Sequence, residues 1–145
     1  MREIKFRAWL KEDKKMVNVE TMDFTDKSIQ YLKKSEINNA YILRRVSFDD
    51  VELMQYTGLT DKNGTRIYEN DIVKFIVLEG YGEHADQFEY IDKVEHYISE
   101  FKLQQIGLRL SDESITEIET IGNVYENPEL LEENKWVHKE WRRNG

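Results

Sequence analysis

Three imidazoles are the natural place to look for acid–base or metal chemistry. His84 lies two residues before Asp86 and His96 follows Glu95, so a carboxylate stands near each, while His138 sits close to the C-terminus. A helical zinc site needs two ligands one turn apart, as in HExxH, and no pair of these histidines has that spacing. The chain has no cysteine. Thiol nucleophiles, disulfides and thiolate metal sites are therefore excluded, and a metal would need histidine and carboxylates gathered from distant segments. Asp61-Lys62-Asn63-Gly64 opens like a calcium loop, but glycine comes fourth rather than sixth and Ile72 holds the twelfth place, where a bidentate carboxylate belongs. Gly80-Tyr81-Gly82 lacks the Lys-Ser/Thr or third glycine that would cradle phosphate, and there is no GxSxG elbow. Asp49-Asp50 and Glu132-Glu133 are adjacent, so a strand or helix points the paired carboxylates apart. No catalytic, cofactor-binding or metal-ligating residue is assigned, and the chain is expected not to be an enzyme.

Recognition chemistry is better supplied. Eight Tyr, six Phe and three Trp residues could build a stacking or docking surface. Trp9 shares one alternating set with Lys5 and Arg7, and Lys14 and Lys15 follow. Trp136 and Trp141 stand near Lys139, Arg142 and Arg143. Tyr56 and Tyr68 flank the Asp61 turn. Lys5, Arg7, Trp9, Tyr56, Tyr68, Trp136 and Trp141 are thus the candidate interaction residues, although large aromatics mostly bury their area in cores or interfaces.

Charge limits the partner. The formal net charge is −8, and it is uneven: residues 1–48 carry 11 basic and 7 acidic side chains, residues 49–145 carry 10 and 22. Eight carboxylates between Leu110 and Glu133 have no basic residue among them. Binding to nucleic acid draws on cations that displace counterions from phosphates, so general duplex binding is disfavoured, and only a local patch such as the N-terminal hairpin offers it. No run of about 18 apolar residues exists to span a bilayer and the N-terminus is not a signal peptide, so no membrane association is expected.

These residues need elements to hold them. Ile4, Phe6, Ala8 and Leu10 alternate with Lys5, Arg7 and Trp9, which predicts a half-buried strand, and Met16 to Val19 returns after the polar Lys11–Lys15 turn as a hairpin. Thr21 to Val46 reads as two short strands. Val51 to Leu59 has apolar residues on both alternating sets, as in a strand covered on both faces. Asn63-Gly64, both tolerant of positive φ, mark a hairpin turn. Ile72 to Leu78 is a β-branched strand, Phe88 to Leu110 holds two or three more, and Ile115 to Val124 another, bent at Gly122-Asn123. Asn127-Pro128-Glu129 starts a helix, with Asn127 as cap, whose apolar face includes Leu130, Val137 and Trp141.

Four separated stretches resemble one family. Met1 to Trp9 (MREIKFRAW), Leu53 to Gly64 (LMQYTGLTDKNG), Ile67 to Val73 (IYENDIV) and Ile121 to Leu131 (IGNVYENPELL) occur in the order and frame of the YopX family of phage and prophage proteins. The resemblance implies a mainly β protein with a small SH3-like barrel, an N-terminal β segment and, in this chain, a short C-terminal α-helix. It implies one YopX-like domain over residues 1–145, with the N-terminal segment at 1–68, the barrel at 69–126 and the helix at 127–143. It carries over no catalytic residue and no cofactor. Asn70 stands where the family often has glycine. The expected protein is a non-enzymatic interaction module in the cytoplasm of a bacterial host, acting on a host or phage protein and able to form a homo-oligomer. The alternative is a nucleic-acid-associated protein using the basic N-terminal hairpin, or a nucleic-acid mimic.

Overall fold

The computed structural model describes residues 3–133 and 139–141. Its contacts divide the chain into two compact units, Met1–Tyr56 and Thr57–Gly145.

In the first unit, β1 (Phe6–Leu10) and β2 (Lys15–Asn18) form the expected antiparallel hairpin, with Trp9 opposite Met16. On its other side β1 pairs with the start of β6 (Val51–Thr60), from Phe6 opposite Gln55 to Leu10 opposite Val51. Between them lie β3 (Thr21–Asp23), β4 (Ser28–Lys34) and β5 (Tyr41–Ser47), a separate sheet in the order β3-β4-β5. Three strands stand here rather than two, because the turn at Thr25–Lys27 is tight enough to add one. Asp23 accepts from the Thr25 and Asp26 N–H groups, and Lys27 takes a left-handed φ of 56°. The core joins Ala8, Leu10 and Val51 to Ile29 and Tyr31, with Val17, Met22, Val46 and Leu53 around them.

The division falls inside β6, so the Asp61 turn and Tyr68 belong to the second unit. There β7 (Arg66–Tyr68) continues the sheet beyond β6. The long strands β8 (Asp71–Glu79), β9 (Asp86–Tyr97), β10 (Glu100–Leu103) and β11 (Ile115–Asn123) form a curled sheet in the order β10-β9-β8-β11. The protein is thus mainly β, as expected, with an N-terminal β segment, a curled near-barrel sheet and a short C-terminal helix. The core of this second unit is Ile67, Val73, Phe75, Val77, Val94, Leu103 and Leu110, with the Tyr90 ring stacked 5.9 Å from Phe75. Pairing of β11 with β8 shifts register twice, between Thr116 and Glu119 and between Thr120 and Gly122. The second shift is the predicted bend, and such bulges let a short sheet curl.

The terminal helix is shorter than predicted. α1 covers Glu129–Glu133, residues 134–138 lie outside the described residues, and Lys139–Trp141 is extended as β12, pairing antiparallel with Gln87–Glu89 of β9. A helix through residue 143 is thereby corrected. The amphipathic spacing is real, but pairing with β9 satisfies backbone groups along that strand's edge. Asn127 also differs from expectation: its Oδ1 accepts from the Asn123 N–H at 3.3 Å, turning the side chain back toward β11, while its backbone carbonyl accepts from Leu130 N–H at 3.1 Å.

Candidate interaction surfaces

The N-terminal hairpin places its residues by strand alternation. Ala8 and Leu10 are buried, while Arg7 and Trp9 are half-buried and Lys5 is exposed with a Glu3 carboxylate 3.8 Å from its Nζ. Residues directly opposite on paired strands share a face. Arg7 is opposite Met54, and Trp9 opposite Glu52. Met54 is fully buried and Tyr56, on the same alternating set, is nearly so. Arg7 therefore stands beside a buried apolar side chain, whereas Trp9 stands between exposed Glu52 and half-buried Met16. Lys14 and Lys15 are exposed, and carboxylates are interleaved with the hairpin's cations, with Lys11 Nζ 3.5 Å from Glu52.

Tyr56 and Tyr68 are both buried. The turn between them is organised by Asp61. Asp61 N–H donates to Thr65 O and Gly64 N–H to Asp61 O, and of the central residues only Gly64 has positive φ, at 81°. This is a type I turn closed by a glycine bulge rather than the mirror-image turn that Asn-Gly alone suggests. The Asp61 carboxylate accepts from Asn63 and Thr65 N–H at 2.9 Å each, and from Thr120 N–H of β11 at 3.0 Å. Burial pushes its pKa up, but these three donors, with Lys62, outweigh that and hold it below the ordinary carboxylate value. Thr57 likewise turns inward, its Oγ1 donating to Ile67 O at 2.7 Å.

The other matched stretches converge in the same way. Asp71, almost wholly buried, accepts from Tyr68 N–H at 2.8 Å, as its place at the start of the barrel predicts. Asn70 adopts φ 67°, the conformation that glycine would take most easily, and its Nδ2 donates to Tyr125 Oη at 3.3 Å. Gly122 and Asn123 pair with Ile72 and Asp71, and Asn123 Oδ1 accepts from the Tyr125 and Glu126 N–H groups. A Cβ at Gly122 would stand 2.7 Å from Asn127 Cγ, so glycine is required by close approach.

A further buried carboxylate, Asp92, has no signal in the sequence beyond its type. It accepts from Lys93, Gln105 and Ile106 N–H groups, tying the turn after β10 to β9. Burial pushes its pKa up against those hydrogen bonds. Only a partner some 14 residues away reveals the role.

The acidic stretch is partly neutralised by the fold. Lys62 Nζ lies 3.4 Å from Glu119 and 3.9 Å from Glu117, and Lys74 Nζ 3.9 Å from Glu119. Asp112, half-buried, is held below the usual carboxylate range by Ser114, whose Oγ and N–H both donate to it. An open cleft of about 420 Å³ lies over Leu59, Ile67, Leu110 and Ile118, with Asp61 and Lys62 on its rim. His84 and His96 are exposed at opposite ends of β9, the latter 5.1 Å from the Phe101 ring. His138 and Trp136 lie outside the described residues, and Trp141 is placed by its backbone in β12. Among the described residues no group of three or more His, Cys, Asp or Glu could hold a metal ion. No described helix is long and apolar enough to cross a membrane.

These observations define a mainly β protein with a curled near-barrel sheet whose signature residues are bonded to one another. The family model described as YopX protein matches residues 5–132. The chain belongs to the YopX family of phage and prophage proteins. It is also similar to a solved structure, the crystal structure of protein EF1440 from Enterococcus faecalis, at 26% identity and a TM-score of 0.62, covering 90% of this chain and 99% of that one. No curated protein matches.

Proposed function

We propose that this YopX-family protein works without catalysis, by binding another protein of the host or the phage. The observation that carries the reading is charge. Residues 57–145 bear 19 acidic side chains against 10 basic. Family-signature groups such as Asp61, Asp71, Asn123 and Thr57 are occupied by internal hydrogen bonds, which leaves the outward-facing charged surface as the means of recognition. Acidic surfaces steer basic partners and discourage nucleic acid. The two described histidines, held apart by β9, favour no acid–base pair. The alternative, nucleic-acid association through Lys5, Arg7, Trp9, Lys14 and Lys15, is weakened by the half-burial of Arg7 and Trp9. The test is affinity capture from a host lysate divided into nuclease-treated and untreated halves. A defined protein partner should survive nuclease; recovery that depends on intact nucleic acid would transfer the reading to the hairpin.

A further inference from the structure

The β4–β5 hairpin departs from the acidic character of the rest of the chain. From Leu32 to Arg45 it carries Lys33, Lys34, Arg44 and Arg45 against one carboxylate, Glu36. Its outer half is open on both faces: Leu32 is 47% exposed, Tyr41 65%, Ile42 51% and Leu43 48%. Arg45 is paired with Asp26 at 3.1 Å, whereas among the described residues Lys33, Lys34 and Arg44 have no ion-pair partner.

The strand register says what kind of edge this is. Ser35 N–H donates to Ala40 O and Phe48 N–H to Lys27 O, so the even residues of β5 turn their backbone groups toward β4. By alternation, Tyr41, Leu43 and Arg45 present N–H and C=O to the free side. β5 is the edge of its sheet, seven residues long, with no proline. On one face Leu43 is directly opposite Leu32 and with Tyr41 forms an apolar stripe, flanked by Lys34 opposite Tyr41 and by Arg45, which Asp26 neutralises; Lys33, opposite Ile42, and Arg44 occupy the other face.

We propose that β5 receives an extended segment of a partner protein as an added strand, apolar at the positions beside Leu43 and Tyr41 and acidic on the face of Arg44, where Lys33 stands one strand further in. Main-chain hydrogen bonds give such pairing its affinity, and the alternating side chains give it specificity. Charge complementarity selects an acidic strand, since three cations of the arm are unneutralised. The proposal rests on the reading of the protein as an interaction module and adds to its acidic surface, which suits basic groups, a basic edge that takes an acidic segment.

The probe is a labelled seven-residue peptide of alternating Val and Glu, titrated against the full-length protein by fluorescence anisotropy. Saturable binding is expected. It should weaken at least tenfold in the double variant Lys33→Glu, Arg44→Glu and vanish in Leu43→Pro, a change that removes only an outward N–H and so spares the β4–β5 ladder. Methylation of the peptide amides of one alternating set should abolish binding, and methylation of the other set should leave it intact. A peptide with Lys for Glu should not bind. Thermal melts within a few degrees of wild type are the folding control, and the charge variant stands alone if Leu43→Pro misfolds. No saturable binding, equal binding of the Lys peptide, or binding indifferent to both variants overturns the proposal. So does a self-association that Leu43→Pro removes, which would assign the edge to a second copy. If the charge variant still captures nuclease-resistant partners from lysate, this edge is wrong and the interaction reading stands; if wild type captures none, the reading itself fails.

Discussion

Thr120 N–H donates to Asp61 Oδ2 at 3.0 Å, joining residues 59 positions apart. One carboxylate thus both shapes the Asp61–Thr65 turn and fastens it to β11. Asp61→Ala should therefore cost about 3 kcal/mol, since it leaves three N–H groups without a charged acceptor, each such bond contributing roughly 1.5 to 3 kcal/mol before local relaxation. Urea denaturation measures it, and a loss below about 1 kcal/mol would show that water replaces the carboxylate.

Acid should act through the same group. Its folded pKa lies below the ordinary value of 3.8, so the stability it contributes is complete above that value and declines as pH falls below it through the folded pKa. Asp92, raised by burial, behaves oppositely: its contribution is greatest below 3.8 and declines as pH rises through its raised pKa. Carboxyl titration by NMR should place Asp61 below and Asp92 above the exposed aspartates. The reverse order would contradict the hydrogen-bond account.

Gly122→Ala should destabilise by about 1 to 3 kcal/mol, the usual range for forcing atoms into occupied space, because its Cβ meets Asn127. Asn127→Gly in the same chain should recover part of that loss. Additive costs in the double variant would place the strain elsewhere.

Asn70→Ala should cost about 1 kcal/mol or more, the penalty for a left-handed backbone in a residue without glycine's freedom or asparagine's local bonding. Asn70→Gly keeps that backbone at ease and loses only the contact with Tyr125. Equal melting temperatures for Asn70→Ala and wild type would contradict this.

Much of the fold is written locally. Ala8 and Leu10 alternate with half-buried Arg7 and Trp9, and the chain duly forms a hairpin strand; Gly122-Asn123 marks a bend, and β11 shifts register there. What escapes a local reading depends on partners far away in sequence. Nothing near Asp92 announces Gln105 and Ile106, and nothing near Lys139 announces the strand at Gln87–Glu89 that draws it out of a helical pattern. The candidate interaction residues divide on the same line. Lys5 is exposed as alternation predicts, whereas Tyr56 and Tyr68 are buried because the Asp61 turn closes between two packed strands. The exposed hairpin from Leu32 to Arg45 reads in sequence only as weak apolar clusters between lysines, since exposure on both faces is a property of the folded arm.

The most direct test of the central claim is capture of partners from host lysate by the full-length protein, with nuclease-treated and untreated halves compared by mass spectrometry. The account predicts one protein partner recovered equally from both halves. Recovery confined to the untreated half, with nucleic acid co-purifying, would contradict it.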